Sequence, residues 1–174
     1  VMKIDNGPLL CGWYSTIEYL AEGPRAQSGE RRQLRLLPGG REDRAEARRL
    51  TDWCHGKLYR EVTRELLLEK VYPMLRGGGG APDADVLRTV RANLRYHLSY
   101  IGFLAYQRNW LAGDEASLAD LAAAAQLSVM DYLGEVSWDQ YPAAKDWYGR
   151  IKSRPSVRDV LADRVPGLPA PPAY

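Results

Sequence analysis

Few residues on this chain have the types and spacing to do chemistry. Cys54 and His55 stand side by side, the pairing of a thiolate with its imidazole base or of two metal ligands. Neighbours on a helix point about 100° apart, and no second Cys or His lies at ligand spacing, so neither a nucleophile pair nor a metal site is expected. Cys54 falls on an apolar helix face and reads as a small core residue. His97 is isolated, and Cys11 closes a short strand. Gly77 to Gly80 resembles a phosphate loop only in composition: no Lys-Ser or Lys-Thr follows and no strand precedes it, so it reads as a helix connection. Asp120 has the residue type of a catalytic acid, but Ser117-Leu118-Ala119-Asp120 has the spacing of a capping box with Asp in the Glu/Gln place. The Ser117 hydroxyl would meet the amide three residues on while Asp120 reaches back to the cap. No catalytic residue is assigned.

The elements that must position these residues follow from periodicity. Val1 to Asp5 alternates like a half-buried strand, Asn6-Gly7 is a strong hairpin signal with both positions favouring positive φ, and Pro8 to Cys11 supplies the second strand. A lone hairpin is marginal in water, so the chain reads as a piece that starts inside a larger sheet. A helix over Trp13 to Glu22 is stopped by Gly23-Pro24. The basic stretch Arg25 to Gly40, with Arg31, Arg32 and Arg35, reads as a solvated linker or, alternatively, an anion-binding patch. From about Arg41 to Tyr72, Ala47, Leu50, Trp53/Cys54, Leu58, Val62 and Leu66 step by three and four, and Pro73 with the glycine run ends that helix. Pro82 opens the next, with Asp83 and Asp85 at its positive end and Leu87, Val90, Leu94, Leu98, Ile101 and Ala105 on one face. These two form an antiparallel hairpin of long helices. Leu121 to Leu127 is apolar almost all round and predicts a helix through the middle of a bundle. Two shorter helices start near Pro142 and Pro155, and Val165 to Tyr174 is expected to lie extended.

Composition narrows the function. The 174 residues carry 24 Lys and Arg against 22 Asp and Glu, a net charge of +2, so no overall field draws the chain to nucleic acid or a membrane surface. Two cysteines suit a reducing, cytoplasmic setting, and no run is long and apolar enough to span a bilayer. Tyr96, Tyr100, Phe103 and Tyr106 either line a cleft or pack within the bundle. Where the two long helices meet the glycine turn, Glu69, Lys70, Val86 and Leu87 are expected to be exposed together, an apolar centre ringed by charge that would suit a protein partner.

The hairpin, short helix, linker and helical bundle resemble the glutathione transferase superfamily. Asp5-Asn6-Gly7, Ile17 to Glu22, Leu111-Ala112-Gly113-Asp114, Ser117-x-x-Asp120 and Ser153-Arg154-Pro155-Ser156 carry the likeness. Arg91 to Leu94, Tyr100-Ile101-Gly102, Arg108 to Asp114, Asp131 to Val136, Pro142 to Tyr148 and Lys152 to Ser156 are similar to its FzlA-like branch in alphaproteobacteria. The resemblance implies an α+β to mostly α fold. Residues 1–24 would be the β3-β4-α3 end of a thioredoxin-like domain, 25–40 a linker and 41–174 the helical C-terminal domain.

It further implies that the family's catalytic Tyr, Ser or Cys belongs to a segment preceding Val1, and that Cys11 is not at the nucleophile position. The family holds the γ-glutamyl end of glutathione with an acidic residue and a Ser at the head of the helix after β4. Counting back from Ile17, these positions are Trp13 and Tyr14, and an indole has no acceptor for an ammonium. No cofactor is expected, or glutathione held weakly by Trp13, Tyr14 and the helix amides. The branch is dimeric and binds filaments of FtsZ, the tubulin homologue of bacterial division. The alternative is a glutathione S-transferase that conjugates glutathione to an electrophile, its catalytic residue in the preceding segment.

Overall fold

Met2–Lys3 pairs antiparallel with Leu9–Leu10, Met2 opposite Leu10 and Lys3 opposite Leu9. The computed structural model describes residues 1–22, 36–78 and 80–171. The expected Gly23-Pro24 stop and the Arg31, Arg32 and Arg35 cluster lie outside the described residues. The hairpin turn is shifted by one residue from the Asn6-Gly7 expectation. Gly7 N–H donates to the Ile4 carbonyl at 3.1 Å, so Asp5 and Asn6 are the central pair. Asn6 alone of the turn takes a positive φ, 58°, which asparagine tolerates. Gly7 serves space instead, since a Cβ there would stand 2.8 Å from Ile4 Cγ2. The helix Trp13–Glu22 follows as the spacing predicts.

A single helical run then extends over residues 41–75. It is α-helical over Arg41–Trp53, widens to a π-helix over Cys54–Thr63, and passes through Arg64–Leu66, Leu67–Val71 and Tyr72–Leu75. The apolar spacing gives a reason for the widening. Leu50, Cys54, Leu58, Val62 and Leu66 recur strictly every four residues, and each is fully buried. In an ideal α-helix each step of four drifts about 40° around the axis, so such a row would turn toward solvent. Wider turns hold it on one face. Pro73 does not end the helix: it falls early in the last short segment, after Val71 has opened to φ −102°, where a missing N–H removes no needed bond.

Ala84–Gln107 returns antiparallel, shown by pairs that run in opposite order along the two helices. Glu69 meets Asp83, Glu61 meets Asn93 and His97, and Arg49 meets Tyr100. Its cap is Asp83, whose carboxylate accepts from the amides of Asp85 and Val86 at 2.8 and 3.2 Å, so Pro82 lies just outside the helix rather than opening it. The central helix Leu118–Tyr132 is buried on most sides, as its composition predicts. A 3-10 turn, Trp138–Gln140, and helices Pro142–Lys152 and Pro155–Ala162 complete the bundle. The tail is not simply extended. Leu168 N–H closes a turn on the Val165 carbonyl, and the Tyr132 hydroxyl accepts from Val165 N–H while donating to the Leu168 carbonyl. Among the described residues no helix is long and apolar enough to cross a membrane.

The capping box at Ser117 and Asp120 forms, and its carboxylate does more than cap. Asp120 is 1% exposed. Oδ2 accepts from Ser117 N–H at 2.9 Å and from the Ser117 hydroxyl at 3.2 Å. Oδ1 accepts from Leu111 N–H at 3.0 Å and from the Trp147 indole N–H at 2.8 Å. Replacing Asp120 with Ala would strand three buried N–H donors, so Asp120→Ala should lower unfolding stability by about 3 kcal/mol or more in urea denaturation. Trp147→Phe, which removes one of those donors along with its bond, should cost less than half as much.

Candidate functional site

The head of the helix Trp13–Glu22 is the first place to look for a ligand, because a helix start carries amides without intrahelical partners and a glycine turn, Gly12 at φ 90°, leads into it. Its own hydroxyls bond back to the chain: Ser15 Oγ donates to the Cys11 carbonyl at 2.7 Å and Thr16 Oγ1 to the Gly12 carbonyl at 3.0 Å. The first turn carries no acidic side chain. Trp13 packs its ring on His55 at 4.5 Å and edge-on to Tyr14 at 5.5 Å. Tyr14 is 52% exposed. The next carboxylate on the helix, Glu18, is held by Arg48 in a two-point pair at 2.9 and 3.0 Å, which keeps its pKa below the ordinary range. An incoming α-ammonium therefore finds aromatic faces here and no carboxylate from this helix turn. The residues present do not fit the family's usual grip on glutathione.

Cys54 and His55 are not a pair. Cys54 is fully buried, and desolvation, with the nearby Asp120 charge, pushes its thiol up to about 12. His55 turns the other way, to Trp13 and to Gln126, whose amide lies 3.5 Å from Nδ1. Gln126 is buried and also accepts from Thr63 Oγ1 at 2.6 Å. His97 is fully buried with Nε2 2.9 Å from Glu61 Oε2, and Glu61 also pairs with Lys57. Nδ1 of His97 has no hydrogen-bond partner among the described residues. Burial lowers the pKa of both imidazoles, against the pull of Asp52 on His55 and of Glu61 on His97.

The surface at the glycine turn differs from the sequence expectation. Leu87 is buried because it belongs to the same face as Val90 and Leu94, and Val86 is half-buried against the core. Glu69 accepts from Asp83 N–H at 2.8 Å, tying the end of one long helix to the start of the next. Lys70 turns toward the nearly buried Glu135. The aromatic row on the second long helix divides. Tyr100 packs on Trp53 and accepts from Arg49 Nη2, while Tyr96, Phe103 and Tyr106 are 64%, 58% and 80% exposed. Sequence spacing did not point to three arrangements that join distant segments: Glu18 with Arg48, Asp120 with Trp147, and Glu135 with Lys70 and Arg91. No local signal marks such partners, beyond carboxylates lying within apolar runs.

Comparison with known proteins places this arrangement. Residues 66–155 match the family described as glutathione S-transferase, C-terminal domain. Over 132 residues the chain is 54% identical to FtsZ-localized protein A of Caulobacter vibrioides, covering 76% of this chain and 57% of that protein. The chain thus spans less than two thirds of that relative. A glutathione S-transferase structure from Rhodospirillum rubrum F11 is 41% identical and superposes with a TM-score of 0.87 over 97% of this chain and 72% of that one. The structure of FzlA from C. crescentus is 51% identical, with a TM-score of 0.76 over 80% of this chain and 61% of that one.

The shifted groups set the pH dependence. Below their ordinary value of 6.5 the unfolded histidines bind protons that the folded state resists, so stability should fall as pH drops through that range. Glu46, held down to about 2 by Arg49 and Arg108, contributes stability that is present above 4.5 and lost as pH falls toward 2. Denaturation midpoints measured from pH 8 to 3 should therefore decline in two stages, and His97→Gln should flatten the upper one.

Proposed function

The chain belongs to the glutathione S-transferase family, and on that premise we propose that it is a non-catalytic member that binds FtsZ filaments during bacterial cell division, acting in the cytoplasm as a homodimer. The observation that carries this reading is the 54% identity to a protein named for its localization to FtsZ. The helix head supports it from the other side. Without an acidic residue in its first turn, and with Trp13 packed on His55, it offers a charged tripeptide little purchase. Trp13 and Tyr14 would at most hold glutathione weakly.

Within the proposed partner surface, Glu69 and Val86 keep partial exposure, and the buried Leu87 supports Val86 from beneath. The exposed Tyr96, Phe103 and Tyr106 give the second long helix an aromatic face suited to self-association.

The test pairs two measurements on the full-length protein. It should co-sediment with polymerised FtsZ and show no glutathione binding by calorimetry at millimolar ligand. Tight glutathione binding with conjugation turnover and no co-sedimentation would overturn the reading in favour of an enzyme. Glu69→Lys should reduce the pelleted fraction severalfold and, by losing the Asp83 tie, lower the thermal transition slightly; Glu69→Gln, which keeps an acceptor for Asp83 N–H, should leave that transition nearly unchanged, and full co-sedimentation by both variants would remove this patch from the interface.

A further inference from the structure

Glu135 is the centre of a cluster that no part of the preceding reading uses. Its side chain is 4% exposed, and it pairs with Lys70 from the first long helix and, at 3.0 Å, with Arg91 Nε from the second. It lines a cavity of about 420 Å³ together with Lys70, Arg91, Arg95, Ser137, Gln140 and Tyr141. The buried Leu94 and Leu98 also line it. Two cations thus pair with one carboxylate, and a third, Arg95, lines the same cavity. Arg91 and Arg95 lie four residues apart on one helix face, a like-charge neighbour pair that is unfavourable unless an anion comes between them. Arg91 commits Nε to Glu135, and its side chain is still 54% exposed. Arg95, Ser137, Gln140 and Tyr141 make no side-chain hydrogen bond or ion pair among the described residues.

We propose that this cavity is a docking site for an acidic peptide segment of a partner, bound extended with carboxylates at alternate positions. Glu135 shows that the cluster accepts a carboxylate, since one from the chain itself already sits between two of the cations. The spacing fits a pair of them. Four residues of helix set Arg91 and Arg95 about 6 Å apart along the axis, and residues two apart on an extended strand place same-side groups about 6.5–7 Å apart. Ser137, Gln140 and Tyr141 offer partners for the intervening peptide groups.

A phosphate is the weaker fit, because the backbone amides that would cradle one are spent. Leu133, Gly134 and Glu135 N–H close the end of the central helix on the Val129, Asp131 and Met130 carbonyls, with Gly134 at φ 68°. The inference is independent of the filament reading, since it names the chemistry of the segment and not the protein that carries it.

The test is fluorescence anisotropy of a labelled peptide containing Gly-Asp-Leu-Asp-Leu-Gly with the full chain at low salt. Arg95→Ala should weaken binding about tenfold or more, the loss of a charge-assisted hydrogen bond, and Arg95→Glu should abolish it. Arg95→Lys should retain part of it. Arg95 makes no side-chain hydrogen bond or ion pair among the described residues, so these variants should melt with the parent chain. The Asn-for-Asp peptide should not bind, and inorganic phosphate at 10-fold excess over the peptide should not displace it. Failure of the parent chain to bind, equal binding by Arg95→Glu or by the Asn peptide, or displacement by phosphate would each overturn the proposal.

Discussion

A single buried carboxylate holds the helical body in register. Asp120 lies at the positive end of the central helix, where a negative charge is favoured, and its two oxygens collect donors from its own helix start, the loop before it and a later helix. The Ser117 amide belongs to the helix start, the Leu111 amide to the preceding loop, and the Trp147 indole to a helix that packs across the bundle. Trp147 is itself fully buried, so the same side chain that fills the core is oriented by this bond. An apolar residue at this position would leave the loop, the cap and the indole without a common acceptor. At the other end of the same helix Asp131 repeats the arrangement, accepting from the Trp138 indole at 2.7 Å and from Lys152 at 2.9 Å. This largely buried helix is thus fixed at both ends by charge and along its length by packing.

That scaffold stands apart from the hairpin and the helix that follows it. The head of the first helix contributes little to the core: Tyr14, Tyr19 and Leu20 are exposed, and Trp13 touches the helical body through His55. Residues there are free to vary without disturbing Asp120 or the long helices. The indole of Trp13 makes an aromatic contact there with His55 and, among the described residues, no contact with the buried core around Asp120.

Helical periodicity made most of the fold legible. The apolar rows on the long helices, the all-apolar central helix and the Ser117 to Asp120 spacing each report neighbours within a turn or two, and each is found in the structure. Leu87 shows how such a reading goes astray: it shares a row with Val90 and Leu94, and that row faces the core, so exposure at a helix end could not follow. The hairpin turn slipped by one because Gly7 is required for room beside Ile4 rather than for its φ. The pairs Glu18–Arg48, Lys70–Glu135 and Asp120–Trp147 were not legible, since each spans 27 residues or more and leaves no periodic trace.

The way Arg48 grips Glu18 has a consequence for how the molecule comes apart. Both side chains keep partial exposure, 37% and 21%, so added salt screens this clasp far more than it touches Asp120. Rising ionic strength therefore weakens the tie between the first helix and Arg48 before it weakens the buried Asp120 cluster. The aromatic contact of Trp13 with His55, which ions do not screen, is what keeps the two segments joined when that charge pair fades.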